Sequence, residues 1–128
     1  MNYKSYLLFI IVFTTFLLTG CKSSHNKTSF YKNEVFACFY ASKFEGRKTA
    51  NGEIFSNKNL TAAHKTLSFG TQVKVTNLAN NKSVIVTIND RGPFSQKYEI
   101  DLSKKAFDQI SHDSKAGSLK VSLEIINR

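Results

Sequence analysis

The alternation of apolar and polar positions begins at Glu34. The segment "EVFACFYA" puts Val35, Phe39 and Ala41 on one parity and Phe36, Cys38 and Tyr40 on the other, which predicts a strand partly covered on both faces. "TQVKVTNL" and "SVIVTIND" alternate cleanly and are joined by Ala79-Asn80-Asn81-Lys82, a hairpin in which Asn supplies the positive-φ positions. "YEIDL" predicts a short strand. Ser103 can cap a helix running to about Ile110, with Ala106, Phe107 and Ile110 on its inner face. After Gly117 the run "SLKVSLEII" aligns Leu119, Val121, Leu123 and Ile125. Residues 42–58 are dense in Gly, Asn, Ser and Lys and predict a long loop with a short strand near Ile54-Phe55, a length that in a compact domain points to function. "NLTAAH", Asn59 to His64, suits about one helical turn. Five or six short strands, one or two short helices and no βαβ rhythm predict a mainly β chain closed as a small barrel.

The first residues follow a different pattern. Lys4 precedes 13 uncharged, mostly apolar residues from Tyr6 to Leu18, and Thr19-Gly20 leads to Cys21. This is the layout of a secretory signal, and the run is shorter than the roughly 20 residues that span a membrane as a helix. Leu18-Thr19-Gly20-Cys21 also fits a bacterial lipobox with Cys21 acylated. Residues 1–20 are then a signal peptide, 21–33 a lipidated Cys and flexible tether, and 34–128 the domain. Lys22 in place of an acid favours the periplasmic face of an outer membrane. His25 lies in the tether with no evident task.

Composition narrows the partners. The chain of 128 residues carries 18 Lys and Arg against 9 Asp and Glu, a formal charge of +9. An exported basic domain suits phosphate- or carboxylate-bearing envelope polymers and surfaces, although Lys residues also serve solubility alone. Nucleic acid fits the charge but not the compartment. Two cysteines allow one bridge, Cys21 to Cys38, which lipidation of Cys21 forbids; Cys38 then reads as a small buried hydrophobe.

Candidate chemistry gathers at three places. In "SVIVTINDRGPF" strict alternation puts Asp90 at the end of the apolar stripe Val84, Val86, Ile88 and turns Arg91 the other way, while Gly92-Pro93 ends pairing and opens space beside the carboxyl. A partly desolvated carboxyl resists ionisation, as general acid catalysis requires; the alternative is a carboxylate that merely bonds the turn backbone. Glu53 in "GRKTANGE" is either a second functional carboxylate or a solvated loop charge. His64 in "LTAAHKTL" is either an acid, base or orienting donor, or a satisfied half-buried imidazole. His25, His64, His112 and Cys38 lack metal-ligand spacing, and no Ser lies in a nucleophile elbow.

Together "FYASKFEGRKTANGEIF", "NLTAAHKTLSFGTQVKVTNLANNKSVIVTINDRGPF" and "YEIDLSKKAFDQI" resemble the rare lipoprotein A (RlpA) family. The resemblance covers about Val35 to Ile126. It implies a six-stranded double-psi β-barrel related to expansins and barwin-like proteins, and a lytic transglycosylase acting on peptidoglycan glycan strands without cofactor or metal. It places catalytic function on Asp90, Glu53 and His64 and a structural or substrate-positioning role on Asp101; with Asp101, Tyr40, Arg47, Asn51, Arg91 and Phe94 are the candidate substrate contacts. Tyr40, Phe44 and Phe94 are candidate sugar-stacking rings, with barrel core as the alternative, above all for Phe44. It further implies a monomer, lipid-anchored in the cell envelope and working in wall remodelling or daughter-cell separation with cell-division proteins as candidate partners. The alternative is a non-catalytic, expansin-like wall-binding lipoprotein. The chain departs from the family pattern at Ala37-Cys38-Phe39-Tyr40-Ala41, at Glu45 and at Ser68.

Overall fold

The computed structural model describes residues 27–113 and 115–127. Six strands, β1 (Lys27–Phe39), β2 (Thr61–His64), β3 (Gln72–Asn77), β4 (Ser83–Asp90), β5 (Ile100–Leu102) and β6 (Leu119–Asn127), are joined by a single α-helix, α1 (Lys104–Ile110), and a 3-10 turn at Ser42–Phe44. The strands close in the order β1-β5-β2-β4-β3-β6. β1 pairs β5 and β2 pairs β4 in parallel, and every other neighbour is antiparallel. Closure leaves no long free edge, which suits a chain with so many short strands. Mainly β and barrel-shaped is the architecture the alternation predicts, and six is the strand number the resemblance implies.

The interior is filled by one residue in two from each strand. Val73, Val75, Val84, Val86, Ile88, Ile100, Leu102, Val121 and Leu123 form this core, and α1 closes it with Ala106, Phe107 and Ile110. Ser103 caps α1 by accepting the Ala106 N–H, and Asn81 turns the β3–β4 hairpin at φ 59°, both as the residue types predict. Phe107 is fully buried and meets the Phe39 ring at 4.7 Å.

Four expectations are corrected. Residues 27–33 are not tether: they form the first half of β1 and pair with β6, from Lys27 opposite Asn127 to Lys32 opposite Leu123. Register shifts between Phe30 and Lys32 and between Lys32 and Val35, with Glu34 at φ 54°, break the alternation and hide this strand from a period-two reading. "TAAH" is strand β2, since two parallel or antiparallel neighbours outweigh the helix propensity of two alanines. The strand near Ile54-Phe55 reduces to one bridge, Lys48 to Ile54. Cys38 is half-buried and lines a surface groove instead of the core. The predicted signal peptide, the lipidation of Cys21, His25 and the tether up to residue 26 lie outside the described residues.

Truncating Phe107 to Ala is expected to lower unfolding free energy by about 3–5 kcal/mol, because the ring is wholly enclosed and the site between α1 and the barrel has little freedom to collapse. Urea denaturation of wild type and variant checks it.

Candidate active site

The site is made where β4 departs from regular pairing. On its parallel neighbour β2, Thr61 faces Thr87 and Ala62 faces Ile88, but Ala63 faces Asp90. Asn89 is therefore an extra residue, a bulge, and it reverses the side on which the acid emerges. Ala62 belongs to the core with its partners Ile88 and Leu102. Ala63 points to the outer face, and Asp90 with it. Asp90 thus does not end the apolar interior stripe, as unbroken alternation would have it; the bulge carries it out onto a groove.

That groove, about 790 Å³, is lined by Tyr40, Lys43, Phe44, Arg47, Thr49, Ala50, Asp90, Gly92, Phe94, Tyr98 and Asp101, among others. Asp90 sits on its floor as a threefold acceptor. Tyr40 donates its hydroxyl to Oδ2 at 2.7 Å, and the backbone N–H groups of Ala50 and Arg91 donate to Oδ1 at 2.9 and 2.8 Å. Tyr40 is itself fixed by stacking on Phe55 at 4.2 Å and by the edge of Phe44 at 5.9 Å. Burial, and then the hydrogen bond to Asp90, push its phenol far above the ordinary range, so it remains a donor. The ring lines the groove and orients the acid.

The acid whose titration is displaced is Asp101. Burial, reinforced by the negative charge of Asp90 and opposed by Lys65, pushes its carboxyl up to about 6. β2 explains the proximity. Ala63 pairs Asp90 on one side and Asp101 on the other, and Asp101 in turn pairs Cys38 of β1.

The remaining candidates fall into two groups. Arg47 and Phe94 line the groove, the latter 94% exposed and therefore open to a ligand. Arg91 also reaches it, but its guanidinium donates to the carbonyls of His64 and Leu67 at 3.2 and 2.9 Å and lies 3.9 Å from the Phe69 ring centre. It clamps the 64–69 segment. Glu53 and Asn51 stay outside the groove. The Glu53 carboxylate accepts from the Asn89 and Asn51 side-chain amides at 3.0 and 2.9 Å, which hold it below the ordinary carboxylate range. The Asn51 N–H donates to the Asn89 carbonyl at 3.2 Å. These bonds fasten the 46–55 loop, and with it the Ala50 N–H, over the bulge.

His64 is not brought to the groove. It sits opposite Ile100, on the inner face, and is completely buried. Its Nδ1 accepts the N–H groups of Thr66 and Leu67 at 3.1 and 3.0 Å, so the ring is the Nε2–H tautomer, donating to Glu99 Oε1 at 3.0 Å. Burial lowers its pKa against the raising influence of Glu99, which keeps the imidazole neutral. Sequence reasoning missed Asn89 and Glu99. The polar Asn inside an otherwise apolar strand end was the one available signal for the bulge. Among the described residues, no group of three or more His, Cys, Asp or Glu is placed to hold a metal.

Comparison with known proteins agrees with this geometry. A family model described as "Lytic transglycolase" matches residues 24–123. The endolytic peptidoglycan transglycosylase RlpA of Rickettsia bellii is 36% identical, over 99% of this chain and 75% of that protein. The chain belongs to the RlpA family. The RlpA protein of Haemophilus influenzae is 51% identical over 92 residues, 72% of this chain and 32% of that one. The chain thus spans about a third to three quarters of the length of these two relatives. Among solved structures, the Streptomyces papain inhibitor (SPI) aligns with a TM-score of 0.59 at 17% identity, over 80% of this chain and 96% of its own. The apo expansin of Clavibacter michiganensis aligns at 0.57 and 20% identity, over 79% of this chain and 51% of its own. These likenesses establish the double-psi β-barrel that the resemblance implied.

Because a buried neutral His64 takes no proton in the folded state while the unfolded chain does below about pH 6.5, its contribution to stability is present above that pH and lost as pH falls through it. His64→Gln is expected to cost roughly 1–3 kcal/mol at pH 7.5, through the bonds it leaves unmade. The gap to wild type should narrow by pH 5, as urea titrations at both pH values would show.

Proposed function

We infer that the groove binds a peptidoglycan glycan strand and cleaves it as a lytic transglycosylase, at the bond from N-acetylmuramic acid to N-acetylglucosamine. The observation that carries this reading is the Asp90 carboxyl, held by three donors at the floor of an open groove in a chain of the RlpA family. The names of the Rickettsia and Haemophilus relatives describe that activity for those proteins, and a Clavibacter expansin variant, about half of which shares this fold, is solved in complex with cellohexaose.

The chemistry asks for one proton at the glycosidic oxygen and one acceptor for the proton of the muramoyl C6 hydroxyl. As the bond to C1 breaks, its electron pair leaves with the glycosidic oxygen and C1 gains oxocarbenium character. The C6 oxygen then closes on C1. A 1,6-anhydro product forms without water, unlike hydrolysis by an inverting pair. In this reading Asp90 is the carboxyl that stabilises the cation and accepts the C6 proton. Glu53 and His64 are positioning residues, the first through Asn89 and the loop carrying Ala50, the second through its carbonyl bond with Arg91. Exposed Phe94 offers a face for a sugar ring, with Arg47 and Lys43 on the same rim. The predicted lipid at Cys21 would hold this barrel at the periplasmic face of an outer membrane, within reach of the wall and of division proteins. Among the described residues no helix is long and apolar enough to cross a membrane.

Digestion of purified sacculi tests the reading. Wild type is expected to release anhydro-muropeptides, and Asp90→Asn to release about 100-fold less or lower, the usual size of an acid–base contribution. Wall binding with no soluble product from wild type would instead mark a non-catalytic binder, and products heavier by one water a hydrolase.

A further inference from the structure

The cross-strand row on the outer face of the barrel contains a second carboxyl for which the reading above has no catalytic task. Asp90 on β4, Ala63 on β2, Asp101 on β5 and Cys38 on β1 occupy consecutive strands at one level, and Asp90, Asp101 and Cys38 line the same groove. Two strand spacings put the Cα atoms of the two acids about 9–10 Å apart, with their side chains projecting from the same face. In the row between them stands Ala63, beside which Gly92 passes: a Cβ on Gly92 would lie 3.9 Å from that of Ala63.

Their surroundings differ. Asp90 already accepts three hydrogen bonds. Asp101 is half-buried and has no side-chain hydrogen bond with any of the groups that face it. Those groups are Asp90 from β4, Lys65 from the segment after β2, Cys38 from β1, and Tyr40 just beyond β1. The Cys38 thiol is pushed up by burial and Tyr40 is bonded to Asp90; among the described residues, Lys65 is the cation that acts against the rise of the carboxyl. Two acids in one groove with unlike environments are the arrangement that divides donor from acceptor roles.

We propose that Asp101 is a catalytic residue which, resting on the transglycosylase reading above, gives its proton to the glycosidic oxygen while Asp90 works as the carboxylate. The Asp101 O–H bond breaks as the glycosidic oxygen takes the proton and the C1–O electron pair. The C6 oxygen bonds C1 and passes its proton to Asp90. One proton has left the pair and one has joined it, so its return from Asp90 to Asp101 resets the site with no co-reactant. The carboxyl of Asp101 lies near 6, which sets the pH range in which the store is filled.

The experiment uses the full-length chain in detergent. Sacculus digestion by wild type is expected to fall about tenfold per pH unit above pH 6. Asp101→Asn should release at least about 100-fold less anhydro product while sedimenting with sacculi within about twofold of wild type, and Asp101→Glu should recover part of the activity. Carbon-detected NMR of the Asp side chains supplies a readout that does not depend on turnover. Asp101 is expected to titrate near 6, and lower, toward the ordinary carboxylate range, in Asp90→Asn. Asp101→Asn that keeps more than a tenth of wild-type activity with the same alkaline decline overturns the proposal. So does an Asp101 titration in the ordinary range that is indifferent to Asp90. If wild type releases nothing at any pH, the transglycosylase reading itself fails and the donor role with it, an outcome distinct from an active wild type with a tolerant Asp101→Asn.

Discussion

The extra residue at Asn89 is the constraint on which the site depends. Without it, alternation along β4 would send Asp90 inward with Val84, Val86 and Ile88, into a core that has no place for a carboxylate. With it, the acid comes out beside Ala63. The displaced Asn89 is 97% shielded and becomes an anchor: its carbonyl accepts the Asn51 N–H and its amide donates to Glu53. The loop so anchored is the one that returns the Ala50 N–H to Asp90. One insertion thus turns the acid outward and fastens the donor that orients it. Its Oδ1 finds no partner among the described residues, a buried deficit of about 1–3 kcal/mol in exchange for this geometry.

The four residues of β2 separate two jobs by alternation alone. Ala62 and His64 face inward, and Ala63 faces outward. The small outward side chain leaves room between two acids, while the inward imidazole fills the barrel end, meeting the edge of Tyr31 at 5.6 Å and bonding Glu99. His64 nonetheless bears on the groove through the backbone. Its ring holds the Thr66 and Leu67 amides, its carbonyl and that of Leu67 receive Arg91, and the Arg91 N–H binds Asp90. This chain of bonds links the interior to the acid without placing the imidazole near substrate.

What could be read from the sequence was whatever local pattern decides. The β3–β4 hairpin, the Ser103-capped helix and the alternating β6 were legible because their periods are unbroken and their turn residues have specific conformations. The first half of β1 was not, because register shifts and a positive φ at Glu34 scramble the alternation while Lys, Ser and Asn give it the composition of a tether. β2 looked helical because alanine carries no strand signature of its own; its neighbours decide it. At the site, residue types marked Asp90, but its direction, the inward placement of His64 and the placing of Asp90 and Asp101 on either side of Ala63 all follow from register across strands far apart in sequence. A bulge changes parity, and no single-strand reading detects it.

The basic charge of the chain poses a conflict that the groove resolves by tying cations elsewhere. A formal charge of +9 draws anionic polymer toward the surface, yet a cation beside a buried acid stabilises the carboxylate and empties the proton store. Here Arg91 is engaged by two carbonyls and the Phe69 face, and Lys43 and Arg47 each lie 5.4 Å from the Phe44 ring centre. None of them bonds Asp101. Among the described residues Lys65 opposes the rise of that carboxyl, and it ranks behind burial and the charge of Asp90. The aromatic rings of the rim therefore do more than offer surface to a sugar: by holding guanidinium and ammonium groups at the edge, they let an electropositive groove keep an acid that is slow to ionise.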